Sequence, residues 1–236
     1  ADISSAAACS AERKMAMLVY MVERGKYLLP EESLRRRPEG KRGLYVNITN
    51  ECPCACTFCL RTLKDMPDDM SLWLGGKEPT VEEVKEALLA APWDYVREVV
   101  FCGFGEPTMR LADLVELLRF VKGEHPDLPT RVNTNGLSDL VYGRDTAADF
   151  AGGILDTVSI SLNASNAERY LALTRSEFGI ESFEAMLAFA EKMKAYAGHV
   201  VLTIVEKVEG AEEIAKCRAL CEARGLDLRV RPYEGS

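Results

Sequence analysis

Apolar residues fall along this chain in two alternating spacings. Some short stretches carry them at every second position, which suits a strand with one buried face. Leu44–Thr49, Glu98–Gly103, Thr130–Asn135, Leu155–Asn163, Val200–Val205 and Asp227–Arg231 read as strands of this kind. Between them, apolar residues recur three and four positions apart, the repeat of a helix with one buried stripe. Thr80-Val81-Glu82-Glu83 forms a capping box and opens a helix to about Ala91. Leu111–Lys122 places Leu114, Leu117, Leu118 and Val121 on one face. Asp145–Ala151 predicts a short helix, Glu181–Tyr196 a longer one stopped at Gly198, and Ala211–Ala223 one ended by Gly225.

Six strands alternating with helices predict an α/β protein with a parallel sheet and right-handed crossovers. No linker or repeat divides residues 44–236, which read as a single domain. Six units fall short of the eight in a closed barrel. An open, partial barrel and a doubly wound sheet both remain on spacing alone. Ahead of this domain, residues 1–43 read as a partly ordered N-terminal extension. Residues 1–13 suggest a weakly ordered tail, and Met15–Met21 a strand or one helical turn. Arg35-Arg36-Arg37, set among prolines and glutamates, has the look of a solvated face.

The polar half of the strand pattern adds a second expectation. Ser159, Ser161 and Asn163 alternate with Val158, Ile160 and Leu162. Arg131, Asn133 and Asn135 share a parity in the third strand, as Arg229 and Arg231 do in the sixth. With helices over the apolar side, this polar set lines the other side of the sheet. A concave face of Asn, Ser and Arg suits a ligand site better than a packed core.

Composition narrows the field only a little. With 47% hydrophobic and 28% charged residues, the 236-residue chain can bury a core without disulfide staples. A formal net charge of −8 disfavours a protein that grips nucleic acid through its phosphates. No apolar run reaches the roughly 20 residues that span a membrane. Ala1-Asp2-Ile3-Ser4-Ser5 has neither the basic nor the apolar part of an export signal. Reactive thiols without export predict a reducing cytoplasm.

Those thiols are the chemistry of the chain. Directly after the first strand comes Glu51-Cys52-Pro53-Cys54-Ala55-Cys56-Thr57-Phe58-Cys59, which contains the spacing C-x3-C-x2-C in Cys52, Cys56 and Cys59. Three thiolates this close in sequence can hold three irons of a [4Fe–4S] cluster and leave the fourth open. A closed zinc site needs four ligands, usually as two separated pairs, and no second pair follows. Cys54 reads as a small loop residue, Cys102, Cys217 and Cys221 as core, and Cys9 as incidental. Neither His125 nor His199 has a catalytic setting. After the second strand, Cys102-Gly103-Phe104-Gly105-Glu106-Pro107-Thr108 offers glycines for close backbone approach and a carboxylate that can receive an ammonium group.

In this order the two motifs resemble those of the radical S-adenosylmethionine (radical SAM) superfamily. The resemblance runs from about Leu44 to Arg231. Leu-Tyr-Val-Asn-Ile-Thr-Asn, Cys-Gly-Phe-Gly-Glu-Pro-Thr and Val-Asn-Thr-Asn-Gly-Leu are similar to the small TatD-associated members. The resemblance implies an open partial (β/α)6 barrel, a [4Fe–4S] cluster on Cys52, Cys56 and Cys59, and SAM on the open iron. Reduction of such a cluster cleaves SAM to a 5′-deoxyadenosyl radical, which abstracts hydrogen from a substrate. The resemblance further implies that Gly103, Gly105 and Glu106 receive the SAM amino group, with the motif's first glycine displaced by Phe104. By the same likeness Phe58 lies near adenine, Asn133 and Asn135 beside SAM, and Ser159, Ser161 and Asn163 near its ribose and carboxylate. Arg229 and Arg231, with Arg131, suit the SAM carboxylate or an anionic substrate. The implied partners are a low-potential, flavodoxin- or ferredoxin-like electron donor and, through the open side, a substrate as large as a peptide or protein. A non-enzymatic iron–sulfur electron carrier or redox sensor, and a zinc-stabilised binding module, account for the cysteines but leave the Gly-x-Gly-Glu turn without a purpose.

Overall fold

The computed structural model describes residues 17–63, 72–206 and 210–232. The tail at 1–13 with Cys9, the start of the Met15 run and residues 64–71 lie outside the described residues.

Two short strands, β1 (Val19–Glu23) and β2 (Lys26–Leu28), form a hairpin. Its two-residue turn holds Arg24 and Gly25 at φ of 50° and 76°, both left-handed as a tight hairpin turn requires. Helix α1 (Pro30–Arg36) follows, with proline in its first turn. Strand β1 then pairs antiparallel with β3 (Arg42–Val46). From there β4 (Val96–Phe101), β5 (Thr130–Thr134), β6 (Thr157–Ser161), β7 (His199–Val205) and β8 (Asp227–Arg231) add one after another, all parallel. The eight-stranded order is β2-β1-β3-β4-β5-β6-β7-β8.

That order decides between the two architectures left open by spacing. A doubly wound sheet reverses its strand order at a switch point. Here the parallel strands never reverse, so every crossover winds the same way and the helices collect on one side. Val46, Phe101, Val132, Ile160 and Leu202 share one core with Leu88 of α3 (Val81–Leu89), Leu114 and Leu118 of α4 (Leu111–Glu124) and Phe189 of α7 (Ser182–Met193). The opposite face carries Tyr45, Asn133, Ser159, Ser161 and Thr203, whose parity in the strands is the reverse. The fold is the open six-unit partial barrel, extended by an antiparallel hairpin.

Several elements match the sequence pattern closely. The capping box at α3 is complete: the Thr80 N–H donates to Glu83 Oε2 at 2.8 Å, and the Glu83 N–H to Thr80 Oγ1 at 3.1 Å. Helix α8 (Ala211–Ala223) and β8 have the expected bounds. Others differ. The expected helix at Asp145–Ala151 is a single 3-10 turn, Ala147–Phe150. Short α2 (Leu60–Leu63) and α5 (Ser138–Tyr142) and the longer α6 (Ala167–Thr174) add to the expected set. From Met17 onward the N-terminal extension belongs to the same sheet, and one buried residue ties it there. Arg42, 4% exposed, donates to Glu23 Oε1 and Ser33 Oγ at 2.9 Å each, and to the carbonyls of Arg37, Glu39 and Gly40 at 2.7–3.0 Å. Arg35 and Arg36 pair along α1 with Glu32, the exposed role expected of the basic run. No helix among the described residues is long and apolar enough to cross a membrane.

Candidate functional site

The C-terminal ends of β3 to β8 surround a cavity of about 250 Å³ on the inner face of the sheet. This is the end at which barrels of strand–helix units place their chemistry. Cys52, Cys56, Phe58, Cys59, Gly103, Gly105, Glu106, Asn133, Asn135, Ser159, Ser161, Asn163 and Arg231 all line it. Arg229 stands behind this lining, where its Nη2 donates to Ser159 Oγ at 2.9 Å. Neither histidine takes part. His125 packs on Trp93 with 4.0 Å between ring centroids, and His199 lies 3.6 Å from Asp227 at the surface.

The cysteine loop is held by a helix that the periodicity did not disclose. The last carbonyls of a helix have no partner within it. In α6 those of Leu173 and Thr174 accept the N–H groups of Thr57 and Ala55 at 2.9 and 3.0 Å. Just beyond, the Glu177 N–H donates to the Pro53 carbonyl at 3.0 Å. The far end of the loop passes into α2, whose first turn bonds back to the Cys59 carbonyl through Thr62 and Leu63. A two-ended clamp of this kind fixes the loop without using its sulfurs.

The thiols of Cys52, Cys56 and Cys59 are free and half-buried, while Cys54 is free and buried. Cys54 is in hydrogen-bond contact with Cys52 and Cys56, and this contact is the leading cause that holds both below the ordinary cysteine value. The same contact pushes Cys54 up. Cys59 is raised, chiefly by burial. Among the described residues no three metal-ligating groups gather tightly enough to hold a single ion. Three thiols on one clamped loop, facing a shared cavity, instead fit a cluster whose irons each need one thiolate.

Opposite the loop, the turn after β4 explains its glycines. A Cβ on Gly105 would lie 2.4 Å from the Thr49 carbonyl oxygen and 2.7 Å from that of Glu51. On Gly103 it would lie 2.0 Å from Asn47 Oδ1. The close approach that these positions demand is to the segment entering the cysteine loop, and the Glu106 N–H bonds the Glu51 carbonyl at 2.7 Å. Glu106 is 4% exposed. Its Oε1 accepts from the Thr108 N–H at 3.1 Å, the Thr108 hydroxyl at 2.8 Å and the Thr134 hydroxyl at 2.7 Å. Its Oε2 accepts from the Asn135 N–H at 2.6 Å and keeps acceptor capacity toward the cavity. Burial pushes this carboxyl above its ordinary value, against the pull of those donors.

The β-strand ends supply the polar wall. Asn135 Nδ2 faces the sulfurs of Cys54 and Cys52 at 3.8 and 4.0 Å. Asn163 holds a left-handed φ of 61°, which asparagine tolerates, as the chain leaves β6. Cys102, expected in the core, is a half-buried thiol on the cavity wall, because the parity of β4 turns it to the inner face. Arg131, Arg229 and Arg231 bring three positive charges together, with the Glu98 carboxylate 3.3 Å from Arg131. Burial, then Arg131 and Arg231, lower the Arg229 ionisation. The Nε atoms of Arg131 and Arg229 and Oδ1 of Asn133 are buried without a hydrogen-bond partner.

Sequence reasoning missed Tyr170 and Thr174 of α6 and the aromatic wall of Tyr20, Tyr27 and Phe104. The signal for α6 was present: Asn166 caps the helix by accepting the Arg169 N–H at 3.0 Å, and strong helix formers follow it. The aromatic wall had no such signal. It forms because the hairpin brings Tyr20 and Tyr27 beside Phe104, with 6.2 Å between the Tyr27 and Phe104 rings.

Comparison with known proteins bears on this geometry. A protein of Corynebacterium glutamicum (strain R) named GTP 3′,8-cyclase is 29% identical over 201 residues, which cover 80% of this chain and 48% of that protein. Another of that name, from Rhodococcus opacus (strain B4), is 31% identical over 80% of this chain and 50% of its own. The chain thus spans about half the length of these curated relatives. Streptococcus suis SuiB, solved bound to the precursor peptide SuiA, superposes with a TM-score of 0.62 at 18% identity, over 86% of this chain and 42% of its own. The protein anSMEcpe, solved with bound AdoMet, gives 0.54 at 19% identity over 80% of this chain and 50% of its own. At these identities the structural likeness shows the fold. The sequence model of the Radical SAM superfamily matches residues 46–220, from the end of β3 into α8. A match of that extent settles the family: the chain belongs to the radical SAM superfamily, whose members use a [4Fe–4S] cluster and S-adenosylmethionine.

Proposed function

We propose that this chain is the catalytic barrel of a radical SAM enzyme acting on an anionic substrate. The observation that carries this reading is the clamped loop that turns Cys52, Cys56 and Cys59 toward the cavity shared with Glu106. A [4Fe–4S] cluster held there would supply the electron for reductive cleavage of SAM to methionine and a 5′-deoxyadenosyl radical, the species that would abstract hydrogen from the substrate. The chain's own share is to bind and to orient. Cys52, Cys56 and Cys59 hold three irons. Glu106 Oε2 receives the SAM amino group, beside the backbone of Gly103 and Gly105. Asn133, Asn135, Ser159, Ser161 and Asn163 offer partners for its remaining polar atoms, and Phe58 packs against adenine. Cys54, in contact with two ligand thiols, stays off the iron.

The arginines support the substrate class. Arg231 lines the cavity, Arg131 and Arg229 add positive charge behind it, and guanidinium groups match carboxylate and phosphate oxygens. The likeness to proteins named GTP 3′,8-cyclase makes a nucleoside triphosphate one anion to assay. The strand-end motifs resemble the TatD-associated members instead, and the peptide-bound SuiB structure makes a peptide the other. A low-potential flavodoxin- or ferredoxin-like donor would supply the electron. A reducing, cytoplasmic setting belongs to the same reading, supported by the free thiols of Cys52, Cys54, Cys56, Cys59 and Cys102.

The electron-carrier alternative makes a different forecast. After anaerobic reconstitution and reduction, an enzyme of this class shows a paramagnetic resonance signal that changes when SAM is added. A signal indifferent to SAM returns the chain to electron transfer.

A further inference from the structure

Tyr170 carries a polar atom that the protein does not satisfy. It lies on α6, is 0% exposed, and packs on Phe183 with 5.6 Å between ring centroids. Its hydroxyl is buried and has no hydrogen-bond partner. A buried hydroxyl left in this state costs free energy that a phenylalanine of the same shape would not. The ring lines the cavity that holds the cysteines, and its electrostatic neighbours are Cys54, Cys56, Glu106 and Cys52. The same helix clamps the cysteine loop through Leu173 and Thr174. One turn separates Tyr170 from that clamp, so the hydroxyl and the thiols keep a fixed relation.

We propose that the Tyr170 hydroxyl donates a hydrogen bond to a sulfur of the cluster held by Cys52, Cys56 and Cys59, and so sets how readily that cluster accepts its electron. The inference rests on the radical SAM reading above. A neutral thiol is a weak acceptor, and the hydroxyl finds none among the thiols as they stand. Iron-bound thiolates and sulfides carry negative charge and accept strongly. The cluster gains further negative charge on reduction, so the bond is stronger in the reduced state. Hydrogen bonds to cluster sulfurs are one of the means by which a protein sets the potential.

The test compares the wild-type chain with Tyr170→Phe, each reconstituted anaerobically with iron and sulfide and titrated redox-wise under paramagnetic resonance. The expected result is equal cluster content and a midpoint moved to more negative potential. A loss of about tenfold in the reduced-to-oxidised ratio corresponds to about 59 mV for one electron. Before reconstitution, Tyr170→Phe should resist urea at least as well as the wild type, since it removes an unsatisfied group. In the wild type alone, the reduced cluster should show an exchangeable proton by double resonance. An unchanged midpoint, or no such proton, overturns the inference. So does a midpoint that holds while SAM binding weakens, which assigns the hydroxyl to SAM. A wild-type chain that assembles no cluster overturns the reading beneath it and this inference together.

Discussion

Glu106 accepts the backbone N–H of Asn135 at 2.6 Å, so one carboxylate joins the turn after β4 to the end of β5. The same group holds the hydroxyls of Thr108 and Thr134, and only its Oε2 has room left for a ligand. Structure and the proposed SAM binding would therefore share this residue. Glu106→Gln turns a donor toward some of these donors and should cost about 1–3 kcal/mol of stability in urea unfolding. Glu106→Ala should cost at least as much. Both variants should keep the cluster and bind SAM more weakly by calorimetry. Unchanged SAM affinity would take Glu106 out of the site.

The cysteine loop gives a four-way comparison. Cys52→Ala, Cys56→Ala and Cys59→Ala each remove a proposed iron ligand and should abolish cluster assembly. Cys54→Ala removes a thiol that contacts two of them and should retain the cluster. Iron and sulfide analysis after anaerobic reconstitution decides the point. Loss of the cluster in Cys54→Ala would mean that the ligand set is misassigned.

The fold was legible wherever burial imposes a period. The six parallel strands and helices α3, α4 and α7 each present an apolar face to the core, and the spacing of polar and apolar residues records that, whereas α8, whose buried residues are Glu213, Cys217 and Cys221, was marked chiefly by Gly225 after it. Helix α6 was not legible in that way. It is eight residues long, and the face it packs on the core is only Ala167, Tyr170, Leu173 and Thr174, a stripe of two turns. Its place at the site depends on backbone bonds to the cysteine loop, which any residue can make. The cysteine spacing and Glu106 stand out by residue type, and the structure brings them to one cavity. The glycines were seen but their reason was not: what approaches Gly105 is the neighbouring main chain, a tertiary contact without sequence signature.

Arg42 was overlooked for the opposite reason, since a lone arginine at a strand start reads as exposed. Its guanidinium satisfies Glu23, the Ser33 hydroxyl and four carbonyls, those of Ser33, Arg37, Glu39 and Gly40. Removing it would leave a partly buried carboxylate and unpaired carbonyls, a loss of about 3–5 kcal/mol. Arg42→Ala should lower the urea midpoint by a corresponding amount. Arg36→Ala, which breaks only an exposed pair on α1, should change it by less than about 1 kcal/mol.

Acid should weaken the protein partly through Asp139. Burial pushes this carboxyl up, but hydrogen bonds from Lys192 and from the Thr146 N–H and hydroxyl outweigh it, and the net shift is down. A carboxyl with a depressed value in the folded state stabilises the fold above its unfolded value of about 3.9, and the gain disappears as pH falls through the folded value. Asp139→Asn should therefore be less stable than wild type at neutral pH and approach it below about pH 3.9. Urea unfolding at a series of pH values checks this, and a constant difference down to strong acid would contradict it.

The central claim is that this chain performs SAM radical chemistry, and one assay meets it directly. The reconstituted protein is reduced with dithionite in the presence of SAM, and 5′-deoxyadenosine is measured. The prediction is its formation in the wild type and its loss in Cys52→Ala, Cys56→Ala and Cys59→Ala. A protein with an intact reduced cluster that neither binds SAM nor forms 5′-deoxyadenosine would contradict the claim.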